Sequence, residues 1–202
     1  NDEDDLFIAY HYNTITCVDY TQQFNIGGRL SSLFTGNDKE TYISITMSAI
    51  FSYSNCMDAS ELIVPKNAKL SYAFSGCSSL ISPPRTLSDN ILHYYQYMNM
   101  FEDCTSLTSA PKLPAASLMD YCYRSMFKGC TSLAEAPVLS ATSLNTSCYQ
   151  RMFEGCTSLA EAPVLSATKM YDYCYASMFK GCTSLVNAPV LPATEMDSNC
   201  YA

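Results

Sequence analysis

From Cys122 to Asn199 the chain repeats one arrangement of apolar and polar positions every 26 residues. "CYRSMFKGCTSLAEAPVLSATSLNTS" (122–147) is followed by "CYQRMFEGCTSLAEAPVLSATKMYDY" (148–173) and "CYASMFKGCTSLVNAPVLPATEMDSN" (174–199). Each copy holds two apolar blocks. In the second copy, Cys148, Met152 and Phe153 are spaced for one face of a short helix, with Gly155 as its left-handed stop. In the first, Leu133, Ala136 and Leu139 mark a short extended segment with these side chains inward. Proline recurs in that segment at Pro111, Pro137, Pro163 and Pro189. It has no N–H for a ladder, so regular pairing is expected to stop there in every layer. The predicted unit is therefore short strand, turn, short helix.

The pattern extends backwards. "QYMNMFEDCTSLTSAPKLPAASLMDY" (96–121) is a full copy with Gln96 in the first cysteine position. "AFSGCSSLISPPRTLSDNILHYY" (73–95) keeps the core with one extra residue after Pro84, and "IFSYSNCMDASELIVP" (50–65) is a degenerate copy. One copy buries too few side chains to offset the conformational entropy of ordering it. Copies must cover one another's faces, so identical residues are expected to stack into ladders. The predicted fold is an α/β solenoid on the leucine-rich-repeat plan, a right-handed stack of 26-residue strand–turn–helix units. It spans 50–202 in about six turns. Ala202 falls just inside a new copy, so a trimmed C-terminal end is expected. Residues 1–49 do not fit the repeat. "LFIAYHYNTITCVDY" and the Gly-Gly turn of "FNIGGRLSSLF" suggest a small β-rich N-terminal cap, with the remnant of a preceding domain as the alternative.

Charge narrows the partners. Eleven Lys and Arg stand against 19 Asp and Glu, a net charge of −8. This argues against nucleic acid, whose binders carry a basic stripe, and against an anionic membrane surface. No apolar run reaches the length of a membrane helix, and no signal peptide is visible. The residue after each Met-Phe alternates in sign, Glu102, Lys128, Glu154, Lys180, which in a stack places opposite charges together.

Nothing in the chain reads as a catalytic centre. The two histidines, His11 and His93, lie in unrelated segments, and no nucleophile elbow, zinc-protease motif or phosphate loop occurs. The expectation is a protein that is not an enzyme and uses no cofactor. Ten of the eleven cysteines recur at two repeat positions and read as small buried hydrophobes. Disulfides between stacked copies stay open as an alternative. No Cys-x-x-Cys pair is present for a metal. The constant tyrosines, Tyr97, Tyr123, Tyr149, Tyr175 and Tyr201, read as packed inside with hydroxyls at the rim. Tyr121, Tyr171 and Tyr173 differ, since they stand where other copies have Ser147, Asn145 and Asn199. Variable and aromatic, they and Lys169 of "KMYDYCY" form the candidate partner-binding set.

The recurring "CYxxMFxGCTSLxxAPxLxAT" resembles the cysteine-containing leucine-rich repeats of Bacteroides-surface-protein type (BspA-like), over about residues 50–202. The resemblance implies a secreted or surface-anchored bacterial protein with an adhesin-like role toward host matrix or cell-surface protein or glycan. The acidic start "NDEDDL" resembles the stretch after the lipidated cysteine of surface lipoproteins in that bacterial group, which implies a lipid anchor upstream. The chain departs from the family in carrying Ala-Pro where an isoleucine-rich strand is usual, and the family has no shared binding motif to transfer. A monomer is expected. The competing role is a structural spacer that projects another domain from the surface.

Overall fold

The structure is a computed structural model and describes residues 14–17, 24–25, 56–60, 62, 64, 69–87 and 91–201. β1 (Thr14–Cys17) pairs antiparallel with β2 (Phe24–Asn25) and with β3 (Cys56–Asp58) of the first described layer. The rest of the proposed 1–49 cap lies outside the described residues.

From residue 69 onward each copy makes one flattened turn, and successive copies stack in register. One side is strand-like. β4 (Ile91–Leu92) pairs parallel with β5 (Ser117–Leu118), and β6 (Lys169–Met170) with β7 (Glu195–Met196). Parallel bridges at Leu113↔Leu139 and Glu135↔Glu161 fall on either side of the Pro137 position. Pairing lapses at the proline itself, as its missing N–H requires.

The other side differs from the expected helix. Among the described residues there is no helix. The segment is a ribbon of overlapping turns. In one layer Tyr121, Tyr123, Ser125, Phe127 and Gly129 donate their N–H groups to the carbonyls of Thr146, Cys148, Gln150, Met152 and Glu154 in the next layer, at 2.8–3.1 Å. The residues between them, Arg124, Met126, Lys128 and Cys130, donate back to Tyr121, Tyr123, Ser125 and Phe127, at 3.1–3.2 Å. An α-helix would direct every N–H along its own axis to the fourth residue back. Here half of the donors are turned outward to the neighbouring layer. The geometry needs a left-handed residue at every fourth position: Tyr121 (φ 62), Ser125 (φ 52), Gly129 (φ 75), then Ser147, Arg151, Gly155.

The ribbon also explains why the pattern looked helical. Cys148 and Tyr149 face in, Gln150 and Arg151 out, Met152 and Phe153 in, Glu154 and Gly155 partly out. That period is four residues, which drifts about 40° per period from a 3.6-residue helix, about 80° over the two periods present.

The core lies between the two sides and is built of ladders. Phe74, Phe101, Phe127, Phe153 and Phe179 stack with centroids 5.5–5.8 Å apart. Tyr97, Tyr123, Tyr149, Tyr175 and Tyr201 stack at 5.7–6.0 Å. All but Tyr201 of the tyrosine set are buried, as expected of packed rings, but the hydroxyls do not reach the rim, since Tyr97, Tyr123 and Tyr149 are buried whole and the Tyr123 hydroxyl with them. The charge ladder is realised at one rung. Lys128 Nζ lies 2.8 Å from Glu102 Oε1, while Glu154 pairs instead with Arg151 of its own layer.

The glycine column gives a direct test. A Cβ on Gly155 would sit 3.7 Å from Gly129, in ordinary contact, so Gly155→Ala should cost only the left-handed penalty, about 1–2 kcal/mol. A Cβ on Gly129 would collide with Asp103 Oδ1 and lie 3.3 Å from its Cγ. Asp103 is exposed and its carboxylate can swing aside, so Gly129→Ala should cost only slightly more in urea denaturation. Combining it with Asp103→Gly removes the collision and also the left-handed penalty at Asp103 (φ 60), so the double variant should be at least as stable as Gly155→Ala.

Candidate functional site

The four residues singled out from the sequence lie along the edge where the strand-like side enters the turn ribbon. Three columns form this edge: His93, Met119, Asn145, Tyr171, Asp197; Tyr94, Asp120, Thr146, Asp172, Ser198; and Tyr95, Tyr121, Ser147, Tyr173, Asn199. Tyr171 and Tyr173 stand in one layer, 42% and 41% exposed. Lys169 joins them through β6, with its Nζ 5.9 Å from the Tyr171 ring centroid and 3.4 Å from Glu195 Oε2 on the paired β7. Tyr121 is apart from this group by one intervening layer, Asn145–Thr146–Ser147. It is half-buried, stacked on Tyr95 at 4.9 Å with the rings 1° from parallel, and Arg124 lies 5.7 Å over it.

Tyr94 and Tyr95, 51% and 45% exposed, belong to the same edge and were missed in the sequence. They close the irregular copy 73–95 and read as its tail. The signal was available, because Tyr95 precedes Tyr121 by one repeat length. The edge thus holds two tyrosine clusters flanking one polar layer. Asp120, Asp172, Glu195 and Asp197 outnumber Lys169 and Arg124 around them.

Three of these tyrosines, like Tyr72 and Arg151 elsewhere in the ribbon, occupy left-handed positions. Tyr95, Tyr121 and Tyr173 have φ of 60, 62 and 57. A bulky side chain is disfavoured in the left-handed region, and Ser147 and Asn199 show that smaller residues serve the same position. Core packing does not repay the strain at Tyr95 or Tyr173, whose rings are exposed.

The cysteines lie beneath this edge and are structural in geometry. The ten in the repeat columns are free thiols. In one column Cys104, Cys130, Cys156 and Cys182 each donate S–H, at 3.0 Å, to the carbonyl of Phe74, Phe101, Phe127 or Phe153 in the preceding layer. In the other, Cys122, Cys148, Cys174 and Cys200 reach the carbonyls of His93, Met119, Asn145 and Tyr171, at 3.0–3.3 Å. The second column therefore anchors the backbone of the tyrosine edge. Where Gln96 replaces the cysteine, its Oε1 accepts from the His93 N–H at 2.9 Å. Burial is the main cause that pushes the thiols of Cys122, Cys156 and Cys174 up to about 12, and it raises Cys130 well above its ordinary value. Such thiols are poor nucleophiles. Among the described residues no group of three His, Cys, Asp or Glu is placed to hold a metal, and no helix is long and apolar enough to cross a membrane.

The raised thiols set an alkaline limit. The folded chain keeps these protons while the unfolded chain releases them near pH 9. Their stabilisation is complete below pH 9 and is lost as pH rises toward about 12. Each such thiol removes about 1.4 kcal/mol of stability per pH unit in that window. Urea midpoints should fall steeply above pH 9. At pH 8 an aromatic disulfide reagent should modify half-buried Cys182 well before buried Cys130 or Cys156. Rapid modification of all ten thiols in native buffer would contradict this account.

No curated protein matches the chain. Among solved structures it is similar to a leucine-rich repeat protein of T. pallidum, with 22% identity over 58% of this chain and 50% of that one, at a TM-score of 0.36. It is also similar to a leucine-rich repeat protein of Bacteroides ovatus, with 22% identity over 68% of this chain and 38% of that one, at a TM-score of 0.37. The chain thus spans half or less of these proteins. Residues 49–186 match the BspA type leucine-rich repeat region in six copies, and the chain belongs to that family.

Proposed function

We propose that this chain is a non-enzymatic binding module of a bacterial surface or secreted protein, adhesin-like, whose tyrosine edge contacts a host-matrix or cell-surface protein or glycan. Membership of a family of protein-binding repeats supports the binding role. The observation that carries the site is the pair Tyr95 and Tyr173, each held at a left-handed position with its ring exposed. Strain kept without burial is a mark of function. Tyrosine is also among the residue types that dominate binding energy at interfaces. Tyr171 and Tyr173 with Lys169 form one contact cluster, and Tyr94, Tyr95 and Tyr121 the other.

The test uses the residues that other copies carry. Tyr173→Asn and Tyr171→Asn place the side chains of Asn199 and Asn145 at equivalent positions. Binding to arrayed matrix proteins and glycans, under reducing conditions, should be saturable for the native chain and at least about tenfold weaker for the double variant. Thermal stability should be unchanged or slightly raised, because asparagine tolerates the left-handed region. Binding that survives the double variant would remove the site. Absence of binding to every class would favour the spacer role.

A further inference from the structure

A second surface lies on the strand-like side, in the "AEAPV" segments. Val138, Val164 and Val190 form a column in successive layers and are 80%, 80% and 84% exposed, with Val186 beside them at 78%. Leu139 and Leu165 beside the first two are buried, so Val138 and Val164 point outward by the same alternation that points these leucines in, while in the third layer Leu191 beside Val190 is itself 52% exposed. Next to this column, Glu135 and Glu161 are bridged in parallel register and both exposed. Neither has an ion-pair partner among the described residues. The nearest cation in the two columns is Lys112, which precedes Val138 in the valine column.

The molecule treats its two charged columns differently. At Glu102 and Lys128 it alternates sign and gains a 2.8 Å ion pair. At Glu135 and Glu161 it stacks like charges, which is destabilising in adjacent strands. An apolar stripe flanked by uncompensated carboxylates is complementary to a partner that is both apolar and basic. A second copy of this chain would bring the same glutamates and a net charge of −8, so it is a poor occupant.

Spacing narrows the partner's form. Layers in parallel register repeat at about 4.8 Å. A helix lying along the stack brings one face round every ~5.4 Å. A strand repeats a face only every ~6.6 Å. Over three valines the helix stays close to register and the strand does not. The geometry points to a docking site for a basic amphipathic helix, laid along Val138, Val164 and Val190 with its cations over Glu135 and Glu161. This surface is independent of the tyrosine edge.

The test uses a labelled synthetic leucine/lysine helix with one apolar face and a scrambled peptide of the same composition. Fluorescence anisotropy should show the amphipathic peptide binding the native chain more tightly than the scrambled one. The triple variant Val138→Ser/Val164→Ser/Val190→Ser and the double variant Glu135→Gln/Glu161→Gln should each weaken it about tenfold. Tyr171→Asn/Tyr173→Asn should leave it unchanged. All the substituted side chains are exposed, and a thermal melt checks each fold. Equal binding of the scrambled peptide, or undiminished binding by the valine variant, would overturn the assignment. So would sedimentation showing the native chain to be a dimer that the valine variant abolishes, since the occupant would then be a second copy.

Discussion

The hydrogen bond from one layer's backbone to the next is the constraint on which the rest of this molecule depends. In the turn ribbon every second N–H leaves its own layer, as when Tyr123 donates to the Cys148 carbonyl and Phe127 to that of Met152. The remaining donors are satisfied three residues back. Because buried backbone groups must be paired, the chain has to present its donors alternately outward and inward. It does so by entering the left-handed region at every fourth residue. Glycine at 129, 155 and 181, serine at 125, 147 and 177, and asparagine at 99 and 199 follow from that demand.

The same constraint accounts for the cysteines. The Phe101 carbonyl accepts the Cys104 N–H within its layer and the Cys130 S–H from the next. A side chain at that position must be small enough for a fully packed layer and must still donate. Cysteine meets both conditions, which is why a column of unpaired thiols persists through the stack. The aromatic ladders serve the complementary need, filling the space between layers with rings whose register the backbone has fixed.

With register fixed inside, variation is confined to the edges. The two surfaces considered for binding share one feature, a local choice that the stack itself does not reward. At Tyr95 and Tyr173 it is a bulky side chain in a left-handed backbone with its ring in solvent. At Glu135 and Glu161 it is like charge on like charge beside exposed valines. In each case other copies carry a less costly residue at the same position, Ser147 and Asn199 in the first and the uncharged Ser109 and Asn187 in the second.

The sequence by itself determined the repeat length, the ladder positions and the interruption of pairing at proline, because each is a one-dimensional consequence of recurring residues. It also separated Tyr121, Tyr171 and Tyr173 from the constant tyrosines, since they stand at positions that vary between copies. It could not determine the conformation of the second apolar block. Two residues in and two out over Cys148–Cys156 satisfies a helix and a four-residue turn ribbon alike within so short a span. The choice was made by bonds to residues about one repeat away, which local periodicity does not contain. For the same reason tertiary structure alone stacked the Tyr95 and Tyr121 rings and brought Lys169 opposite Glu195. Those neighbours are set by stacking across layers, where separation along the chain gives way to register between copies.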